Sequence, residues 1–164
     1  MKLLVVLAAL LLEACAGMGP IHQANLPELM QAGVPKDDGA IEFSAPSEWF
    51  PDSQGFVEDR AGGILIKRPE FREGIFALTP IALVFLQWDP ALKSYSPVYR
   101  VTYPDIQSEK VDAFGRNRRI VIFGKDYRAQ SFGIYGASGG MVDQKAVQRA
   151  HEIIASRIAP HDKS

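Results

Sequence analysis

Residues 81–88 have the sequence IALVFLQW, which is apolar almost throughout. An apolar run of this length, without alternation, is typical of a strand that is covered on both faces of a sheet. Pro80 separates this run from another apolar segment, Gly74–Thr79. The two segments therefore predict a hairpin, with its turn at Thr79 and Pro80.

Other short segments with strand character occur at intervals of about ten residues, which is typical of a β-sandwich or a small barrel. The 14 Gly and 11 Pro of the chain agree with many turns. Six or seven short strands are predicted from Gly62 onward: Ile64–Lys67, Gly74–Thr79, Ile81–Trp88, Val98–Tyr103, Ile106–Phe114, Arg119–Phe123 and Ala129–Tyr135.

The segment Met141–Ile158 differs from the strands because it contains neither Gly nor Pro. Asp143 is predicted to cap a helix here, and Pro160 to end it. One helical stripe is apolar and consists of Val147, Ala150, Ile154 and Ile158. The predicted fold class is mainly β with a C-terminal helix (α+β): a small antiparallel barrel, closed at one end by this amphipathic helix.

The charge and cysteine content exclude several classes of function. The 164 residues suit one domain, and 18 basic against 19 acidic side chains give a net charge of −1. This balance provides no overall field for nucleic acid. One cysteine excludes an intramolecular disulfide and a zinc site built from several cysteines. The sequence predicts no metal and no cofactor.

The N-terminus has the pattern of a secretory signal. Lys2 precedes ten apolar residues, Leu3–Leu12, which are too few to span a bilayer as a helix. Leu12-Glu13-Ala14-Cys15 resembles the lipobox of bacterial lipoproteins. The resemblance implies that residues 1–14 are removed and that Cys15 is lipidated and tethers the protein to a membrane.

The same resemblance implies a position in the bacterial cell envelope. Ala16 stands where lipoproteins retained in the inner membrane of enteric bacteria carry Asp, so we expect the outer membrane, facing the periplasm. After the signal peptide 1–14, the predicted organisation is a lipidated tether 15–40 with one short helix between Asn25 and Gly33, a lead-in segment 41–61, a domain 62–158 and a tail 159–164.

The domain is similar to a pleckstrin-homology-like barrel of the GRAM type. Four segments carry the resemblance: Gly74-Ile75-Phe76-Ala77-Leu78-Thr79 with Leu83-Val84-Phe85, then Tyr103-Pro104-Asp105-Ile106, Ile120-Val121-Ile122 and Ser131-Phe132. It implies a bent antiparallel barrel of seven strands closed by a C-terminal helix. It also implies non-catalytic binding of headgroups, peptides or proteins.

In pleckstrin-homology domains the lipid site usually lies in the loop between the first two strands. The sequence assigns that loop to Thr79 and Pro80, which are short and uncharged. Headgroup binding in that loop is therefore not expected.

Two motifs suggest enzymes but are interpreted structurally. Gly136-Ala137-Ser138-Gly139-Gly140 fits the G-x-S-x-G of a hydrolase nucleophile elbow, yet too few residues follow to supply an acid on a further strand. We interpret it as a turn before the last helix. His151-Glu152-Ile153-Ile154-Ala155 resembles the zinc motif H-E-x-x-H but lacks the second histidine. His151 is therefore predicted to be a surface or boundary residue of the helix.

Basic residues concentrate between positions 110 and 128, and a hairpin tip with several cations can contact anionic headgroups or an acidic envelope protein. Charges at a hairpin tip more often keep a sheet edge soluble, so a solvated tip is the favoured interpretation and a functional patch is the alternative. The predicted patch consists of Arg116, Arg118, Arg119, Lys125 and Arg128.

The expected function is therefore a lipid-anchored, non-catalytic binding module and not an enzyme. A small serine hydrolase that uses Ser138 is one alternative, and a lipocalin-like carrier of an apolar ligand is another. A carrier requires a hollow barrel, whereas the bulky side chains of the strands are expected to fill the interior: Phe76, Phe85, Phe123 and Phe132.

Overall fold

The structure is a computed structural model and describes residues 18–51, 71–114, 117–126, 128–136 and 141–158. The described residues form two α-helices, two short 3-10 helices and seven strands. In chain order these are α1 (Leu26–Gly33), the 3-10 helix Lys36–Asp38, β1 (Phe43–Phe50), β2 (Arg72–Leu78), β3 (Ala82–Asp89), β4 (Ser94–Thr102), the 3-10 helix Tyr103–Asp105, β5 (Ile106–Phe114), β6 (Asn117–Gly124), β7 (Ala129–Ile134) and α2 (Gln144–Ala155).

The seven strands form one antiparallel sheet in the order β4-β3-β2-β1-β7-β6-β5. The predicted class, mainly β with a C-terminal helix, is confirmed. The predicted closure is wrong, because β4 and β5 form the two edges of the sheet and do not pair with each other. The protein is thus an open sheet rather than a closed barrel.

The predicted central hairpin is confirmed as β2 and β3, which pair from Ile75–Leu86 to Leu78–Leu83. The Thr79 hydroxyl accepts the N–H of Ala82 at 3.0 Å, which stabilises the turn. Ala82–Leu86 are completely buried because side chains on both faces of β3 enter a core. This explains why the sequence of β3 is apolar without alternation.

The larger core lies between α2 and the inner face of the sheet. Its centre is a group of fully buried rings: the Phe132 ring lies 5.2 Å from the Phe76 ring and 6.1 Å from the Phe85 ring, measured between centroids. Phe123 does not belong to this core, contrary to prediction; it is only half-buried and the Lys110 ammonium lies over its ring. Alternation places Phe123 on the outer face, since Ile122 points inward.

The predicted apolar stripe attaches α2 to this core. Val147, Ala150 and Ile154 are completely buried, and Ile158 packs against them half-buried. Asp143 caps the helix as predicted, since its carboxylate accepts the backbone N–H groups of the second and third residues that follow. The helix lies over β5, β6 and β7.

The segment predicted as a lead-in, residues 41–61, contains a central strand of the sheet. β1 pairs with β2 on one side and with β7 on the other. The predicted domain boundary at residue 62 is therefore wrong. The predicted strand Ile64–Lys67 lies outside the described residues. Among the described strands, the first two are connected by residues 51–71 and not by Thr79 and Pro80. The short, uncharged Thr79–Pro80 turn therefore does not exclude headgroup binding.

The predicted tether, residues 15–40, is not free where it is described. α1 has the predicted bounds and places Met30 and Val34 in a second core on the outer face of β2, β3 and β4. Arg100 of β4 forms a two-point ion pair with the buried Asp38, with N–O distances of 2.6 and 2.8 Å. The signal peptide, Cys15 and the tail 159–164 lie outside the described residues.

We expect that Ile154→Ala lowers the free energy of unfolding by about 2–5 kcal/mol, because it leaves a cavity in a completely buried contact. This corresponds to a melting temperature lower by about 5–15 °C. Arg149→Ala, on the exposed side of the same helix, is the matched control and should change it by less than 2 °C. Equal, small shifts measured by thermal circular dichroism would mean that α2 contributes little to the core.

Candidate interaction surface

The structure describes four of the five cations of the predicted patch and separates them. Arg118 is exposed at the beginning of β6, whereas Lys125 and Arg128 are exposed in the turn that follows β6. The length of β6, about 23 Å at 3.3 Å per residue, lies between the two positions. Arg116 lies outside the described residues, and Arg119 is buried. The prediction of one continuous patch is therefore wrong.

Arg119 belongs instead to a mostly buried group on the outer face of the sheet. Its guanidinium lies 3.2 Å from the Glu48 carboxylate and 3.7 Å from the centroid of the Phe50 ring. Burial lowers the pKa of Arg119, and the charge of Glu48 opposes this shift. Burial and a hydrogen bond to Glu48 raise the pKa of Tyr135, so its hydroxyl stays protonated. This group stabilises contacts among β1, β6 and β7 and does not present a free cation.

A different set of cations lies at the end of the sheet that carries the β3–β4 and β6–β7 turns. The register places Arg72 beside Trp49, and Phe50 beside Ser131, so the beginnings of β2 and β7 and the end of β1 lie at one end. The β3–β4 and β6–β7 turns lie at the same end, because neighbouring strands are antiparallel. We call residues 71–72, 89–93 and 125–128 the turn surface.

The turn surface combines positive charge with exposed apolar side chains. Its sequence contains four basic residues (Arg72, Lys93, Lys125, Arg128) and two acidic ones (Asp89, Asp126). Both carboxylates accept local hydrogen bonds: Asp89 from the N–H groups of Ala91 and Leu92, and Asp126 from that of Arg128. Phe71 is 55% exposed and Leu92 is 69% exposed.

Aromatic rings underlie one part of this surface. The Trp49 indole N–H donates to the Gln130 side-chain oxygen at 2.8 Å, which fixes the ring. The Arg72 guanidinium lies 5.4 Å from the Trp49 ring centroid, and the Tyr99 ring lies 5.2 Å from it. Burial, with a smaller contribution from the charge of Asp126, raises the pKa of Tyr99. The site therefore offers one cation over an aromatic ring, together with exposed cations and apolar side chains, which suits an anionic partner with apolar parts.

Of the two motifs that suggested enzymes, the structure describes only the one at His151. Ser138 lies among residues 137–140, outside the described residues. His151 is half-buried between α2 and β5, where its Nδ1 lies 2.7 Å from a carboxylate oxygen of Glu109. His151 lies on α2, about 12 Å along the helix axis from Asp143, the residue that caps the helix. The Glu109–His151 pair joins the helix to an edge strand.

Within the described residues, no three His, Cys, Asp or Glu side chains lie close enough together to hold a metal ion. No helix among the residues that the structure describes is long and apolar enough to cross a bilayer. Comparison with known proteins finds no matching family model and no curated relative.

Tyrosine burial predicts a loss of stability at alkaline pH. Burial raises the pKa of Tyr95 to about 12, compared with about 10 in the unfolded chain. As the pH rises from 10 to 12, the unfolded chain loses this proton first, so the free energy of unfolding must fall. We expect the urea midpoint to be constant from pH 8 to 9 and to decrease from pH 10 upward. Tyr95→Phe should reduce this decrease, and an unchanged decrease in the variant would contradict the assignment.

Proposed function

We propose that the protein is a lipid-anchored component of a bacterial cell envelope, held by a lipid on Cys15, with a non-catalytic binding module of the pleckstrin-homology-like type. Two features support this proposal. The signal-like segment 1–14 precedes the lipobox-like Leu12–Cys15. Seven antiparallel strands precede a helix on the inner face of the sheet, which is the order that the resemblance implies.

The observation that carries the binding role is the composition of the turn surface. Its cations and its exposed Phe71 and Leu92 project from one end of the sheet, while its two carboxylates are engaged in local hydrogen bonds. Arginine and aromatic side chains are enriched where proteins bind partners. We therefore assign the turn surface as the binding site for an anionic partner.

The alternative of a carrier for an apolar ligand receives less support. Phe76, Phe85 and Phe132 are completely buried and contact one another at the centre of the inner core. Interdigitated rings at this position fill the space that a hydrophobic ligand needs. The packed rings thus favour a binding surface over a binding cavity.

The anchor is tested by cell fractionation and by intact-mass measurement of the N-terminus. We expect the mature protein to begin at an acylated Cys15 and to remain with the membrane fraction at high salt. Cys15→Ser should accumulate as an unprocessed or soluble form. A wild-type protein that is soluble and has an unmodified N-terminus would refute the anchor.

The binding surface is tested with a defined anionic probe, a sulfated polysaccharide matrix, using the soluble Cys15→Ser protein. The double variant Lys125→Glu/Arg128→Glu changes the turn surface, and Arg118→Glu changes an exposed cation at the opposite end of β6. We expect the double variant, which changes the net charge by −4, to elute at a clearly lower salt concentration. Arg118→Glu, which changes it by −2, should elute close to the parent after allowance for those two charges. Equal shifts per charge would mean that only the net charge matters, which would contradict the assignment.

A further inference from the structure

The N-terminal segment contacts the sheet from Met18, the first residue that the structure describes. The Tyr95 hydroxyl donates to the backbone oxygen of Met18 at 2.7 Å. Gly19 has φ +69° and lies so close to Trp88 that a Cβ atom would be 2.7 Å from the Trp88 side chain. Ile21 then packs into the outer core. A residue with a side chain does not fit at position 19, so the path of the chain is determined here.

This attachment leaves little chain between the anchor and the folded sheet. Met18 is three residues beyond Cys15. Because an extended chain advances at most about 3.6 Å per residue, Cys15 lies within about 11 Å of Met18. A lipid on Cys15, as in the proposed function on which this inference depends, would hold the Met18 region close to the bilayer.

The β3–β4 hairpin tip extends from the same place. Trp88 and Tyr95 are opposite each other near the end of the hairpin, and their rings contact edge to face at 5.1 Å. Leu92 precedes Tyr95 by three residues, a distance of about 10 Å along a strand. It is 69% exposed, and Lys93 beside it is exposed as well. The hairpin tip and Cys15 are therefore within comparable distances of the Tyr95–Met18 contact.

The tip is shaped to present these side chains. One carboxylate oxygen of Asp89 accepts the N–H groups of Ala91 and Leu92 at 2.8 and 3.1 Å, which fixes the turn. Lys93 adopts φ 49°, a left-handed conformation that reverses the chain. An exposed Leu next to a Lys suits the interface of a bilayer, where the apolar chain inserts and the ammonium reaches anionic headgroups.

We propose that the tip of the β3–β4 hairpin rests on the bilayer that holds the lipid anchor, with Leu92 in the interfacial layer and Lys93 at anionic headgroups. The anchor then does more than retain the protein in a membrane. It fixes the orientation of the sheet relative to the bilayer. The hairpin tip contacts lipid, and the opposite end of the sheet, where β7 ends before α2, faces away from the bilayer.

The test uses the single cysteine of the chain. Because Cys15 is consumed by lipidation, a cysteine introduced elsewhere in the mature lipoprotein can be labelled specifically. Leu92→Cys carries an environment-sensitive fluorophore, and Met141→Cys, at an 81% exposed position after β7, is the matched control. Both intact lipoproteins are reconstituted in phosphatidylethanolamine–phosphatidylglycerol vesicles with brominated acyl chains.

We expect brominated lipid to quench the probe at position 92 at least threefold more than the probe at position 141, with blue-shifted emission at position 92 only. Equal quenching at the two positions would overturn the proposed orientation. Vesicle flotation of the same samples tests the anchor separately, because a protein that floats without quenching refutes the hairpin contact but not the lipidation. A ten-residue Gly-Ser insertion after Ala16 should reduce the quenching severalfold, and unchanged quenching would overturn the role of the short connection.

Discussion

Phe132→Ala is expected to lower the free energy of unfolding by about 3–5 kcal/mol, the usual result of removing a fully buried ring. Phe132 is completely buried on β7 and contacts three aromatic residues: Phe76, Phe85 and Tyr99. These residues belong to three other strands, so no single local movement can close the cavity. Since a domain of this size has only about 5–15 kcal/mol in total, urea denaturation should reveal a variant that is partly unfolded near 40 °C.

Phe71→Ala is the matched control, because the same side chain is removed from a position that is 55% exposed. We expect a loss below about 1 kcal/mol, since much of this ring is already in contact with water. A similar urea midpoint for the two variants would show that the aromatic core on the inner face is not what stabilises the sheet.

Glu48→Ala is expected to cost about 3 kcal/mol, because it leaves the Arg119 guanidinium buried without this carboxylate. The Glu48 and Arg119 side chains are 15% and 11% exposed, so water reaches them only partly. Burial already lowers the pKa of Arg119, which shows that the charged form is poorly solvated there. Chemical denaturation at pH 7 provides the measurement.

The control for Glu48→Ala is Asp112→Ala, which removes the partner of Lys110 from an ion pair whose two side chains are each 53% exposed. A pair that is open to water contributes little to stability, and 1 M salt should reduce this contribution further. Glu48→Gln should be intermediate, because it keeps a hydrogen-bond acceptor but no charge. If the Glu48 and Asp112 variants lose the same stability, the outer-face ion pair has no special role.

The β2–β3 hairpin, β5, and the α2 stripe could be predicted because their signals are local. A turn at Thr79 and Pro80 between two apolar segments specifies a hairpin without information from the rest of the chain. Val147, Ala150 and Ile154 recur at helical spacing, and Asp143 precedes them as a cap. In each case the feature that determines the structure lies within about 20 residues, as periodicity and caps do.

β1 was not predicted, because its sequence FSAPSEWF contains a proline and lacks alternation. The fold tolerates Pro46 for a reason that depends on a distant strand. The Pro46 oxygen accepts the N–H of Tyr135, which follows β7. The N–H that Pro46 lacks would therefore also point toward β7 and away from β2. The β1–β7 pairing begins one residue later, at Ser47, so the missing N–H lies at the end of this ladder and not within it.

The basic patch failed as a prediction because adjacent residues of a strand point to opposite faces. Arg118 and Arg119 are neighbours in sequence, yet only Arg119 turns toward the outer face, where Glu48 lies. These partners are 71 residues apart, so no local pattern could indicate the pair. The turn surface could not be predicted from the sequence either, because three separate parts of the chain contribute to it.

The central position of β1 has a consequence for the order of folding. β2, β3 and β4 can form from successive hairpins, and so can β5, β6 and β7, but only β1 pairs with both groups. The Ser47 hydroxyl bonds the Gly133 oxygen across 86 residues. Contacts between distant parts of a chain form slowly. We therefore expect two three-stranded meanders to form early and the insertion of β1 between them to limit the rate. The inner core is then complete only after β1 has paired with β7 and α2 has packed on the sheet.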